Sequence, residues 1–156
     1  PEKGLCGFKE ATQTLTDIVL NKKVYIKTVY LDAYRRMVAR VYLSDGTDLA
    51  YTLAKKGAVY VNQKSKSDHI LLGLGEEARM ANRGIFGYPC TQMENKEHPN
   101  CQIKGNKASG KGTGIYHRPD CRQHDIVKVQ LYLGDQWFCS EREARAAGFV
   151  PSKDCP

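Results

Sequence analysis

The residues best suited to chemistry stand together between positions 32 and 47. Asp32, Tyr34, Arg35 and Arg36 fall in a short connection between two alternating apolar runs, and Asp45-Gly46 follows the second run. A guanidinium presents paired N–H donors in one plane, matched to two oxygens of a phosphate. A tyrosine ring offers a face to a base or a sugar. Tyr34, Arg35 and Arg36 are therefore a set that could grip a phosphodiester. The same residues could equally form the solvated tip of a β-hairpin, and Asp45-Gly46 is tight-turn chemistry.

The cysteines are the second store of chemistry. Cys6, Cys90, Cys101, Cys121, Cys139 and Cys155 are many for 156 residues, which points to an oxidising compartment or a metal site. Lys104-Gly105-Asn106-Lys107-Ala108-Ser109-Gly110-Lys111-Gly112 has a superficial likeness to a phosphate-binding loop. It lacks the closing serine or threonine, and no buried strand leads into it, so it reads as a basic loop able to touch a nucleic-acid backbone.

These groups need elements to hold them. Phe8, Ala11, Leu15, Ile18 and Val19 trace one apolar face, predicting a helix over residues 7–20. Residues 23–31 and 36–43 read as strands. Residues 48–56 suit a short helix stopped by Gly57, and Ala58 to Val61 a further strand. Asn62 to Ser67 reads as a polar loop, and Asp68 as the cap of a helix running to about Asn82. Gly87 to Gly114 has little periodicity and reads as a linker. The net charge is +7 and the pI near 9.1, which favours polyanionic partners, nucleic acid first. No apolar run reaches the roughly 18 residues of a membrane-spanning helix.

Three segments in order give the chain a likeness. Asp32 to Thr47, then Leu49-Ala50-Tyr51-Thr52-Leu53-Ala54-Lys55-Lys56-Gly57-Ala58-Val59, then Glu77-Ala78-Arg79 to Gly84-Ile85-Phe86 resemble the staphylococcal nuclease (thermonuclease) family over residues 1 to about 88. The resemblance implies an α+β fold with an oligonucleotide/oligosaccharide-binding (OB) type β-barrel packed with helices. It implies calcium-dependent hydrolysis of DNA or RNA phosphodiesters, calcium being held by carboxylate oxygens. By the same resemblance Glu2 assists the attacking water, Arg36 stabilises the phosphate, and Tyr34 contacts the nucleotide. Arg35 stands where the family has a glycine, and Ala33 where it often has a basic residue. Pro1-Glu2 looks like the second half of the family's D-T-P-E motif. The chain is thus expected to lack the first barrel strands and the metal-binding aspartates, so its own N-terminal fragment becomes a candidate partner. The alternative is a non-catalytic nucleic-acid-binding protein of the same fold.

A second resemblance covers residues 114–156. Gly114-Ile115-Tyr116-His117-Arg118-Pro119-Asp120-Cys121 and Trp137 through Cys155 are similar to the Ada-type metal-binding domain. Ser140 and Glu143 read as a capping box, with Gly148 ending the helix. The likeness places His117, Cys121 and Cys155 at zinc-ligand positions, with Ser152 at the remaining one and His124 or Cys139 as substitutes. A disulfide between Cys121 and Cys155 is the competing expectation. The pairing would then be Cys90–Cys101, Cys121–Cys155 and, for the remainder, Cys6–Cys139. The expected organisation is a nuclease-like domain over 1–88, a linker over 89–113 and a small Cys/His module over 114–156. The expected location is secreted or periplasmic.

Overall fold

The computed structural model describes residues 1–62, 68–107 and 113–156. Expectations for residues 63–67 (the polar loop) and 108–112 (most of the basic glycine-rich tract) lie outside the described residues. Helices and strands mix in two compact units: a hairpin unit, Gly7–Ile85, and a cystine unit, Pro1–Cys6 with Phe86–Pro156.

The hairpin unit begins with α1, Phe8–Val19. Thr12 and Thr16 return their hydroxyls to the carbonyls one turn back, so each exposed hydroxyl has a partner within the helix. Strands β1, Val24–Leu31, and β2, Met37–Leu43, pair antiparallel from Val24 opposite Leu43 to Leu31 opposite Met37. An irregularity between Thr28 and Tyr30 leaves Val29 without an opposite residue. Helix α2, Leu49–Lys55, is capped by Asp48, whose carboxylate accepts from the amides of Ala50 and Tyr51. Helix α3, His69–Met80, is capped in the same way by Asp68 through the Leu71 amide.

Two expectations for this unit change. Ala58 to Val61 forms no strand; the Ala58 amide instead donates to Leu53 O at 3.0 Å and closes α2. A strand needs a neighbour, and among the described residues β1 and β2 form the unit's sheet by themselves. For the same reason the OB-type barrel is not closed: a two-stranded hairpin cannot curl back on itself. Tyr25, Ile26, Val29, Tyr30 and Leu31 of β1 are consequently all more than half exposed.

The cystine unit is built on four strands: β4, Ile103–Asn106; β5, Gly114–His117; β7, Gln136–Phe138; and β8, Phe149–Pro151. Their order is β7-β4-β5-β8, with β8 parallel to β5. A small pair, β3 (Thr91–Gln92) with β6 (Val129–Gln130), stands beside it. Helix α4, Glu141–Ala146, covers one face and closes a core of Ile103, Tyr116, Phe138, Ala144 and Phe149. Residues 89–113, read from the sequence as a linker, hold β3 and the inner strand β4. Strand β4 escapes a periodicity test because its central residues are Lys104 and Gly105, both buried. Gly105 lies against the rings of Phe138 and Phe149, leaving no room for a Cβ.

All six cysteines are paired: Cys6 with Cys90, Cys101 with Cys139, and Cys121 with Cys155. The expected Cys90–Cys101 and Cys6–Cys139 pairs give way to the first two. The sheet register explains the exchange. Ile103 lies opposite Phe138, so Cys101 before β4 and Cys139 after β7 meet at one end of adjacent strands.

Candidate active site

The turn between β1 and β2 is organised by one carboxylate. Asp32 Oδ1 accepts from the amides of Tyr34 and Arg36, each at 2.9 Å. Its Oδ2 accepts from Arg36 Nε at 2.7 Å. The Arg36 amide, then its guanidinium and the Tyr34 amide, hold the Asp32 carboxyl below the usual carboxylate range. Backbone bonds from Arg35 N to Asp32 O and from Asp32 N to Arg36 O close the turn. Arg35 adopts the left-handed conformation at φ 60°, the geometry a glycine takes without strain.

Arg36 is held at one edge and open at the other. Its side chain is 74% exposed, its guanidinium carbon lies 5.2 Å from the Tyr34 ring centroid, and its Nη atoms make no hydrogen bond among the described residues. Tyr34 is itself exposed. The turn therefore brings together Tyr34, Arg35 and Arg36 as one patch able to meet an anion and a flat ring. Glu2 belongs to the cystine unit, on an exposed turn where Glu2 O accepts from Leu5 N.

A second arginine was not singled out by the sequence pattern. Arg40 on β2 donates through Nε and Nη2 to Asp48 Oδ2, at 2.9 and 2.6 Å, and through Nη1 to Asp68 Oδ2 at 2.5 Å. It also lies 4.5 Å from the Tyr51 ring centroid, and the Tyr51 hydroxyl donates to Asp68 Oδ1 at 3.1 Å. The carboxylates that cap α2 and α3 are thus tied to one guanidinium. Burial pushes the Asp68 carboxyl up, but the Leu71 amide, Arg40 and Tyr51 outweigh it and hold it low. Only Asp68, as a predicted helix cap, gave a sequence signal for this cluster.

A family model described as staphylococcal nuclease homologue matches residues 7–87, just over half of the chain and the whole of the hairpin unit. The chain belongs to the staphylococcal nuclease family. It is similar to an uncharacterized endonuclease of Escherichia coli O157:H7, with 30% identity over 86 residues, covering 55% of this chain and 56% of that protein. It is also similar to an uncharacterized endonuclease of Escherichia coli, 29% identical over 86 residues with the same coverage. The chain spans about half the length of these curated relatives.

Two metal expectations were attached to this family member. For zinc, Cys121 and Cys155 are bonded to each other, so the thiolates that zinc requires are not present. His117 is buried beside them, with Nδ1 3.3 Å from Asp154 Oδ1, near enough for an ion pair but off the hydrogen-bond line. For the calcium that the family implies, the carboxylates of the hairpin unit do not fit. Asp32, Asp48 and Asp68 are engaged by arginines and amides, and no three ligating side chains gather among the described residues. No described helix is long and apolar enough to cross a membrane, and three disulfides are compatible with a location outside the cytoplasm.

Proposed function

We propose that this chain is part of a nuclease that hydrolyses DNA or RNA phosphodiester bonds, with Arg36 on the scissile phosphate and Tyr34 on the adjoining nucleotide. Arg35 adds a second positive charge to the same patch. The observation that carries this reading is the half-open Arg36, braced at Nε by Asp32 with its Nη pair free for phosphate oxygens. In such a hydrolysis a water oxygen bonds to phosphorus while the bond to the leaving oxygen breaks. The water's proton passes to a carboxylate base. The five-coordinate phosphorus carries added negative charge, which a guanidinium fixed in advance stabilises more than it does the starting diester.

Calcium, when bound, would supply further charge neutralisation. The carboxylates described in the hairpin unit, held by arginines and amides, are not available as its ligands. We further propose a secreted or periplasmic location.

The test is cleavage of single-stranded DNA by the unsubstituted parent protein, with calcium and with chelator. Arg36→Ala in the parent should lower turnover by at least about a hundredfold, the cost of losing a principal transition-state donor. Undiminished turnover rejects the role of Arg36. One observation favours a second reading, nucleic-acid binding without cleavage: the aspartates around the hairpin already have cationic partners. Salt-dependent binding with no cleavage by the parent would establish it.

A further inference from the structure

The cystine unit contains a cleft of about 620 Å³, the size of a small-ligand site, that the nuclease reading does not use. The sheet register builds its floor. Lys104 lies opposite Trp137 on one side and His117 on the other, so the three side chains share the sheet face away from α4. Trp137 and Lys104 line the cleft together with Gln102, Pro119, His124 and Asp125.

Each of the principal polar groups is fixed in place. The Trp137 indole N–H donates to Gln92 Oε1 at 2.6 Å, and the Gln92 amide donates in turn to Pro89 O at 2.9 Å. Lys104 Nζ donates to the carbonyls of His124 and Val127, at 2.8 and 3.0 Å, and lies 5.7 Å from the Trp137 ring centroid. Among the described residues this uses two of its three donors. The His124 ring is pinned between Gln102 O at 2.9 Å and Asp125 Oδ1 at 3.1 Å. A buried ammonium is costly where packing alone is needed, and an apolar side chain would fill the same position with no polar group to satisfy. Groups locked before a ligand arrives lose little freedom on binding it.

The charge pattern selects the ligand. A free anion would meet Asp125 and Glu94, and a free cation would meet Lys96 and Lys104. A neutral, flat heteroaromatic ring with donors and acceptors on its edge meets neither penalty. It can lie on the indole, with Pro99 and Pro119 lining the same cleft. We propose that this cleft binds one unpaired nucleobase, stacked on Trp137 with its polar edge on Lys104, Gln102 and Asp125. The choice of a nucleobase over other heteroaromatic rings rests on the nucleic-acid reading above. The site would be a hold on single-stranded substrate separate from the hairpin turn.

Trp137 is the single tryptophan of the chain, so its fluorescence reports on this cleft alone. The experiment titrates the intact, oxidised 156-residue chain with adenosine and with a short thymidine oligonucleotide. Both should quench the emission saturably, while ribose and inorganic phosphate should not. Gln102→Ala, an exposed substitution that leaves the sheet untouched, should weaken the apparent affinity about five- to tenfold, the loss of one hydrogen bond. Lys104→Met, if folded with its three disulfides intact, should weaken it more. No quench by either base-containing probe overturns the proposal. So does equal quench by ribose or phosphate, or quench by a proline-rich peptide in place of adenosine. Quench without cleavage by the parent would sink the nuclease reading and keep the cleft; cleavage without quench would do the reverse.

Discussion

Arg36 can be ready for a phosphate only if something else holds it beforehand, and Asp32 does so with four atoms of turn chemistry. Removing that brace in Asp32→Ala should reduce cleavage by the parent protein and loosen the turn, seen as faster amide exchange at Tyr34 and Arg36. Arg35 carries the cost of the turn, in a left-handed conformation unfavourable for a side chain. Arg35→Gly should therefore stabilise the hairpin unit by about 0.5–1 kcal/mol in thermal or urea unfolding. In the cystine unit, burial first of all pushes the His117 imidazole below its usual range, with Asp154 opposing. A folded value below the unfolded one means the unfolded chain binds the proton more readily. Stability is then full above about pH 6.5 and declines as the pH falls below it. Thermal unfolding across pH 5 to 8 (roughly, the range in which imidazole titrates) checks this, and His117→Gln should flatten the slope. That Tyr34, Arg35 and Arg36 share one turn was legible in sequence, because a turn between two alternating runs has few places to put them. Arg40 was not, since an arginine in a strand gives no sign of which carboxylates the fold will bring to it.

At the scale of elements, Arg40 acts as a clasp from β2 onto the first turns of α2 and α3. Arg40→Ala would leave the buried Asp48 and the half-buried Asp68 carboxylates without their cation and should cost about 2–4 kcal/mol in urea unfolding. The end of α2 meets the end of α3 through two left-handed glycines. A Cβ on Gly57 would overlap Arg83 O, and one on Gly84 would overlap Gly57 O. Gly57→Ala should be at least as damaging as the arginine change, about 2 kcal/mol or more, because both strain and overlap oppose it. Helices α1, α2 and α3 and strands β1 and β2 were readable to within a residue or two, since each carries its own period or cap. Strand β4 was not, because a buried lysine and a glycine pressed by two phenyl rings look like loop residues until the sheet exists. Ala58 to Val61 erred the other way: strand composition predicts a strand only where another strand is available to pair with it.

At the scale of the molecule, the family domain and the cystine unit are interleaved in sequence. Residues 1–6 belong with Phe86–Pro156, and the family domain runs between them. Cys6–Cys90 spans 84 residues, for which the chain-entropy view of cross-links gives about 4–5 kcal/mol of stabilisation as an upper figure. Cys6→Ser combined with Cys90→Ser should lower the urea midpoint accordingly while Cys101–Cys139 and Cys121–Cys155 persist. The cysteine count pointed to cross-linking, but the partners depended on which strands lie side by side, and that is settled by long-range pairing.

The same bond has a covalent consequence. The polypeptide from Cys6 to Cys90 is a ring, closed on one side by peptide bonds and on the other by sulfur. A protease that cuts once inside Gly7–Ile85 would open the ring but release nothing. The cut chain would keep its 17.5 kDa mass, plus one water, until a reductant split it into two peptides. A family domain held this way stays one covalent molecule after a single cut in a protease-rich surrounding, with the two halves kept at the high mutual concentration of a tethered pair.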